Sequence, residues 1–381
     1  MGHNYLLSIV VPTKDRYKYL ISLIDLIKSF HTDEIELVIQ DNTYDNTPIK
    51  GFLSNLDYPH CKYFHESSSL PMAINSDHAI LHSTGEYVCF IGDDDGVTID
   101  IIDCVKYMRA SGIEALRSSD ASYWWPEVGE GRFLKMGGRV SYAKLSSRIK
   151  SLNSYQTLID LLKKGFVNRG QLPLVYHGIV ARKVLDVIYR IGGTYFPGSS
   201  PDISNGVALS IVDPKYVLYN KIVVFSGASK YHGGGVYLSG KKHPELSDIK
   251  WLMPQAVENW DERLPKVGEG EPIWCDSAIK ALRYMGKENL EEKINFEYLY
   301  LKFALSHKDL FFISLNLTKN KMLFCIKFFI GLIIRYYNGV IELLWGKMNK
   351  IPNMESRLGY NDVIEAAGFF HEINIQNRSR E

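Results

Sequence analysis

The chain has 381 residues, with 44 Lys and Arg against 43 Asp and Glu, 24 Tyr among its 12% aromatic residues, and five Cys. That length exceeds one ordinary compact domain, and the near-cancelled charge leaves no global field to attract nucleic acid. The Cys (Cys61, Cys89, Cys104, Cys275, Cys325) are scattered without a CxxC pair, which argues against a disulfide framework or a cysteine zinc site and for a reducing compartment. The aromatic share suits surfaces that meet carbohydrate or lipid, although Tyr also fills ordinary cores.

The first apolar run, residues 6–11, is β-branched and stops at Pro12-Thr13-Lys14-Asp15-Arg16, a strand followed by a polar turn. It has no charged leader, and Leu6 stands where N-myristoylation needs Ser or Thr, so synthesis in the cytoplasm is expected. Leu20, Leu23, Ile24 and Ile27 share one face of a predicted helix. Residues 36–40 read as a second strand ending in Asp41-Asn42-Thr43, and Asn46-Thr47-Pro48 opens another helix. A third strand over 61–65 and a helix over 71–82, stopped at Gly85, lead into Tyr87-Val88-Cys89-Phe90-Ile91. That buried strand delivers Gly92-Asp93-Asp94-Asp95 at its tip. This β-α-β-α-β-α-β order in about a hundred residues is the pattern of a doubly wound, mostly parallel sheet.

Three of these strands end in polar clusters, at Thr13 to Arg16, Asp41 to Thr43 and Asp93 to Asp95. Strand tips of an open α/β sheet line one crevice, so the three clusters can converge on one ligand. Three adjacent carboxylates repel one another; a hard divalent cation with phosphate oxygens in its shell, or a solvated acidic turn, would relieve this.

After a helix over 101–108 the chain is less regular between residues 118 and 148, where Trp124-Trp125 offers either a sugar-stacking pair or a packed aromatic lid. Extended segments are expected over 172–176 and 178–181, helices over 182–191 and from Pro201 to about 211, and a strand over 216–225. Residues 227–240 are too Gly-rich to be regular. In the tail, Lys327, Gly331, Arg335, Asn338, Glu342 and Gly346 interrupt an apolar run at steps of 4, 4, 3, 4 and 4, marking one helical face. The uncharged stretches fall short of the ~20 residues a spanning helix needs. Residues 319–350 carry six basic groups and one acidic, with Trp345 near the end. A basic amphipathic helix over about 321–348 is therefore expected to lie on a membrane surface, or to pack on the domain or a second subunit.

Ser8 to Arg16, Glu36 to Thr43, Asn75 with Gly85-Glu86-Tyr87, Ile91 to Asp95, Tyr176 to Asp186 and Ser200-Pro201-Asp202-Ile203 together resemble glycosyltransferase family 2, of the GT-A fold. The resemblance spans about residues 6–230. It implies a catalytic domain over 1–240, with a nucleotide-sugar half over about 1–100 and an acceptor half over about 101–240, followed by a helical region over 241–381. It further implies that Pro12, Thr13, Arg16 and Asn75 line the nucleoside pocket and that Asp41 accepts from the base N–H. Asp93 to Asp95 would hold Mg²⁺ or Mn²⁺ against the diphosphate. Gly92 stands where many members carry their first Asp, so either Asp93 and Asp95 are the ligands or Asp94 is the main one. His232 would meet the metal or diphosphate, with Lys230 and Lys241 as other phosphate partners, and Asp202 would be the general base.

The activity implied is an inverting, metal-dependent transfer from a nucleotide sugar, a UDP-sugar, to a glycan. The tail suggests a lipid-linked acceptor at the inner face of a membrane, as in bacterial surface-polysaccharide assembly. A sugar nucleotidyltransferase would need a Gly-rich phosphate loop after the first strand, and none is present there. A non-catalytic, membrane-peripheral glycan-binding protein of the same fold is the other alternative.

Overall fold

The computed structural model describes residues 5–129, 136–230, 243–249, 251–252, 254–344 and 354–378. The first half alternates strictly: β1 (Leu7–Thr13), α1 (Tyr17–Lys28), β2 (Ile35–Asp41), α2 (Thr47–Ser54), β3 (Cys61–His65), α3 (Met72–Leu81) and β4 (Tyr87–Phe90). Then come β5 (Gly96–Val97), α4 (Asp100–Ser111), β6 (Ala115–Arg117), β7 (Ala121–Trp124), β8 (Arg139–Ala143), β9 (Lys150–Leu152) and α5 (Ser154–Leu162). β10 (Gly178–Ala181), α6 (Arg182–Gly192), α7 (Pro201–Val212), β11 (Tyr216–Leu218), β12 (Val224–Ala228) and, near the C-terminus, β13 (Met354–Leu358) complete the labelled set.

The main sheet runs β3-β2-β1-β4-β10-β6-β11-β9, parallel from β3 through β4 and antiparallel at β10. Every residue of β2 and all but Pro12 of β1 are buried, as expected of strands covered on both faces. α1 seals one face with Leu20, Leu23, Ile24 and Ile27, the predicted stripe. β1 neighbours both β2 and β4, so the chain order reverses beside it, and the crevice of an α/β sheet opens at such a switch point. At the opposite end Glu36, fully enclosed, accepts from Ser8 Oγ (2.6 Å), Gly85 N (3.0 Å) and Lys62 Nζ (2.5 Å). A Cβ on Gly85 would lie 2.6 Å from Ser8 N, so only glycine fits there. This is the expected mixed α/β architecture of GT-A type.

Two segments differ from expectation. Residues 118–148, read as irregular, supply β7 and β8 to a second sheet of order β13-β8-β7-β12-β5. The single strand expected over 216–225 is two: β11 joins the main sheet and β12 the second. The chain crosses between sheets around Ser118, whose Oγ accepts from Val223 N (2.9 Å) and donates to Lys221 O (3.2 Å). Apolar character is the same on both sides of that crossing, so the pattern carried no sign of it.

Two hydrophobic cores form, and residue 240 does not divide them. The first surrounds the main sheet and takes in Val363, Phe369 and Phe370 from the terminal helix Val363–Arg378. The second joins α5 and part of α7 to the helices Gly270–Tyr284 and Phe296–Ser306. The tail helix Lys321–Leu344 rests Phe324 and Phe328 on this second core. On the face with Gly331 and Arg335, Gly331 abuts Leu305, whose carbonyl accepts from the exposed Arg335. The outward side is apolar: Phe329, Ile330, Ile333, Ile334, Tyr336 and Tyr337 are all exposed. Among the described residues no helix is long and apolar enough to cross a membrane. Trp345, expected at the end of this helix, lies outside the described residues.

Candidate functional site

The tips of β1, β2 and β4 meet as their order requires. Thr13 stands opposite Asp41 in the β1–β2 register, and its Oγ1 donates to Asp93 Oδ2 at 2.6 Å. Arg16, at the N-cap of α1, turns its guanidinium onto the triplet. Nε donates to Asp93 Oδ2 (3.1 Å), Nη2 contacts Asp93 Oδ1, and Nη1 donates to Asp94 Oδ2 (3.2 Å). Ser229, just past β12, donates to the same Asp94 oxygen from Oγ at 2.5 Å. The indole of Trp125 donates to the Asp94 carbonyl at 2.9 Å and is buried, so this Trp packs under the loop and offers no sugar platform.

Asp95 is differently employed. Its Oδ2 accepts from Gly92 N (2.6 Å) and His177 Nε2 (2.7 Å), and its Oδ1 from Gly227 N (2.7 Å). It closes the acidic loop on itself and ties it to β12. Gly227 has to be glycine, because a Cβ there would lie 1.6 Å from the Asp94 carbonyl oxygen. His177 holds a left-handed backbone (φ 58°), sparsely populated by non-glycine residues, in order to reach Asp95.

The three carboxylates are therefore not equivalent. Burial, reinforced by Asp94, pushes Asp93 up despite the Arg16 charge beside it. Burial acts the same way on Asp95, but the His177 ring and the two backbone N–H groups outweigh it and hold that carboxyl below the usual range. Burial would lower the Arg16 pKa, yet Asp93 and Asp94 raise it overall. Oδ1 of Asp93 is buried without an aligned hydrogen bond.

Asp41 is fully enclosed; Oδ1 accepts from Thr43 N (2.8 Å), and Oδ2 from Tyr17 OH (2.7 Å) and Tyr63 OH (2.5 Å). Asn75 on α3 lies behind β2, its Nδ2 3.5 Å from Gln40 O and its Oδ1 buried without a hydrogen bond. Asp202 sits in the first turn of α7, accepting from Ser200 Oγ at 2.5 Å. The helix is anchored by Ser200 N donating to Ser277 Oγ (2.6 Å) and by Val175 N donating to Asn205 Oδ1 (3.1 Å). Burial first, then the charges of Asp95, Asp94 and Asp202, drive the Tyr176 phenol well above its ordinary value. Beyond His177 a cavity of about 170 Å³ is lined by Arg117, Asp120, Arg169, His177 and Ser226. His232 and Lys241, expected at the diphosphate, lie outside the described residues.

Thr13, Arg16, Asp93, Asp94 and Asp95 thus share one site, with Pro12 and Asp41 on its β1–β2 flank. Tyr17, Tyr63, Tyr176, His177 and Ser229 escaped sequence reasoning. Tyr17 follows Arg16 directly and could have been flagged; the others approach only through tertiary contacts. Chemically, the site presents hard oxygen donors beside a fixed cation, with a further carboxylate set apart from them.

Residues 8–115 match the family model described as Glycosyl transferase family 2. No curated protein sequence matches the chain. Among solved structures, S. aureus TarS (residues 1–349, with UDP-GlcNAc) is 16% identical, with TM-score 0.47 over 81% of this chain and 79% of that one. Another S. aureus TarS structure is 14% identical at TM-score 0.45, covering 80% of this chain and 53% of that one. The mannosyltransferase PcManGT of Pyrobaculum calidifontis, with GDP-Man and Mn²⁺, is 15% identical at TM-score 0.41, covering 91% and 89%. The matched segment is the one that carries Thr13, Arg16, Asp41 and the aspartate triplet, so the strand-tip site lies within a glycosyltransferase family 2 domain over residues 8–115.

Proposed function

We propose that the chain moves a glycosyl group from a nucleotide sugar, a UDP-sugar, to a glycan hydroxyl with inversion at the anomeric carbon. The observation that carries this is the convergence of Thr13, Arg16, Asp93 and Asp94 on one crevice; Asp202, in the first turn of α7, is the carboxylate outside that cluster which this reading makes the base. Pro12, Thr13 and Asn75 would line the nucleoside pocket. Asp41 stands at its base-reading end, where a base N–H would share Oδ1 with Thr43 N.

Asp93 and Asp94 are the residues that would hold Mg²⁺ or Mn²⁺. Their donors are all oxygen, the set a hard divalent cation takes, and such an ion would share these carboxylates with Arg16, which contacts Asp93 Oδ1 and Asp94 Oδ2. When bound, such a cation neutralises charge on the departing diphosphate. Asp95, part of the expected ligand set, has three donors on its oxygens, and in this reading it holds the loop in shape. Asp202 accepts the acceptor hydroxyl's proton as the oxygen attacks the anomeric carbon. The sugar–phosphate bond opens on the opposite face, and its electron pair leaves on the phosphate oxygen. The cavity beside His177 is the acceptor's approach. Residues 1–240 would form the catalytic part, with α5 and α7 shared between it and the helical region.

The outward apolar side of Lys321–Leu344, together with six basic residues against one acidic over 319–350, supports contact with an anionic membrane surface on the cytoplasmic side. A lipid-linked acceptor, as in surface-polysaccharide assembly, follows from that contact. The test is release of UDP from labelled UDP-sugars with Mn²⁺ and a glycan acceptor. Asp202→Asn should lower turnover by about 10²–10⁴-fold while donor binding persists. Near-normal turnover in that variant would remove the base assignment, and inertness of the unaltered chain across donors would favour a glycan-binding role.

A further inference from the structure

Away from the cleft, at the edge of the second core, three side chains converge from separate segments. Glu269 is the N-cap of helix Gly270–Tyr284, His307 is the C-cap of helix Phe296–Ser306, and His243 precedes both in the chain. One ligand atom from each, an imidazole nitrogen of either histidine and a carboxylate oxygen of Glu269, lies within 4.8 Å of the other two. Nδ1 of His243 is 2.8 Å from Glu269 Oε1, and Nδ1 of His307 is 3.9 Å from that same oxygen. The opposite nitrogens face separate carboxylates: His243 Nε2 is 2.9 Å from Asp309 Oδ2, and His307 Nε2 is 3.6 Å from Glu271 Oε2.

Both imidazoles thus aim the same nitrogen at one shared carboxylate and present the other to an outer one. Metal-bound histidines behave in this way, because an outer carboxylate fixes the tautomer and raises the basicity of the ligating nitrogen. The ring centroids are 5.2 Å apart with planes at 81°. Two imidazoles on one tetrahedral ion at 2.0–2.1 Å would have centroids about 5 Å apart. An ion-pair cluster explains less, since both His307 separations exceed a hydrogen bond. Glu269 is nearly enclosed, while the two rings keep 16% and 18% of their surface exposed, leaving an entry path and room for a water as fourth ligand.

We propose that His243, Glu269 and His307 bind a divalent transition-metal cation of the zinc class. Two imidazole nitrogens and one carboxylate suit such an ion, whereas the all-oxygen set of the cleft suits Mg²⁺ or Mn²⁺. The ion would cross-link residue 243 to the caps of two helices and clamp the second core.

The full-length chain is stripped with chelator, exposed to Zn²⁺ alone, passed through gel filtration and assayed for metal. Co²⁺ replacement reports geometry through its visible absorption. About one zinc per chain and a tetrahedral Co²⁺ spectrum are expected. His307→Gln and Glu269→Gln should abolish uptake. Asp309→Asn, which does not touch the ion, should weaken it by about 10–100-fold, and this variant keeps the test decisive if the others misfold. Asp94→Asn in the cleft should retain full zinc content, which separates the two sites. The proposal is overturned if the stripped chain takes up no zinc, if Asp309→Asn binds as tightly as the unaltered chain, or if uptake disappears with Asp94→Asn.

Discussion

Adjacent carboxylates Asp94 and Asp95 should fail in opposite ways when each is made Asn. Asp95 accepts Gly92 N, Gly227 N and His177 Nε2. An amide can place its oxygen toward Gly92 and His177, but its NH₂ then faces the Gly227 N–H, leaving a buried donor unmet at roughly 1–3 kcal/mol. Loss of charge assistance on the other two bonds adds about 1 kcal/mol each, offset by relief of desolvation and of repulsion from Asp94. The net is about 2–4 kcal/mol, or a fall in Tm of roughly 3–5 °C for a chain of this size. Asp94→Asn loses one partner of Arg16, which still holds Asp93, and it relieves like-charge repulsion. Its cost should be about 1 kcal/mol or less. Function divides the other way: Asp94→Asn should lose Mn²⁺-dependent binding of a nucleotide sugar, while Asp95→Asn should bind it in the cold. Differential scanning fluorimetry and calorimetric titration with UDP and Mn²⁺ read both. If Asp95→Asn melts with the unaltered chain and loses cation-dependent binding, Asp95 is a ligand and the loop-closing role is wrong.

Gly227→Ala should shift β12 away from the acidic loop, lowering both Tm and donor affinity, because its Cβ would overlap the Asp94 carbonyl; unchanged values would contradict that contact. Lys62→Ala leaves Glu36 enclosed with only neutral donors and should cost about 2 kcal/mol by urea denaturation. Burial raises Glu36, but Lys62, Ser8 and Thr84 outweigh it and hold the carboxyl below its ordinary value. Its contribution is therefore complete above the ordinary carboxylate range and is lost as pH falls through the lower folded value, so the Lys62→Ala penalty should shrink in acid. On the tail, joint replacement of Phe329, Ile330 and Ile333 by Ser should reduce co-sedimentation with anionic liposomes at unchanged Tm. Substitution is preferable to truncation near Leu317, which would also delete Val363, Phe369 and Phe370 from the first core.

The alternation of strands and helices, the burial of β1 and β2, the α1 stripe and the acidic tip after β4 were all legible in the linear order. Each depends on side-chain periodicity within a dozen residues or on a run of one character, and such local signals survive without knowledge of partners. Pro12 to Arg16 and Asp41 could be assigned to one crevice because parallel topology brings strand ends together whatever the intervening helices contain. The division of labour within Asp93-Asp94-Asp95 was not legible, because three identical residues differ only in what reaches them: Arg16 and Ser229 from one side, His177 and Gly227 from the other. The same holds for the split of 216–225 between two sheets and for the return of the terminal helix to the first core. It holds equally for the meeting of His243 with Glu269 and His307. Composition and periodicity determined which elements exist. Contacts between residues far apart in the chain decided which donors hold each carboxylate, since a hydrogen-bond donor from another segment leaves no trace in the sequence around the acceptor.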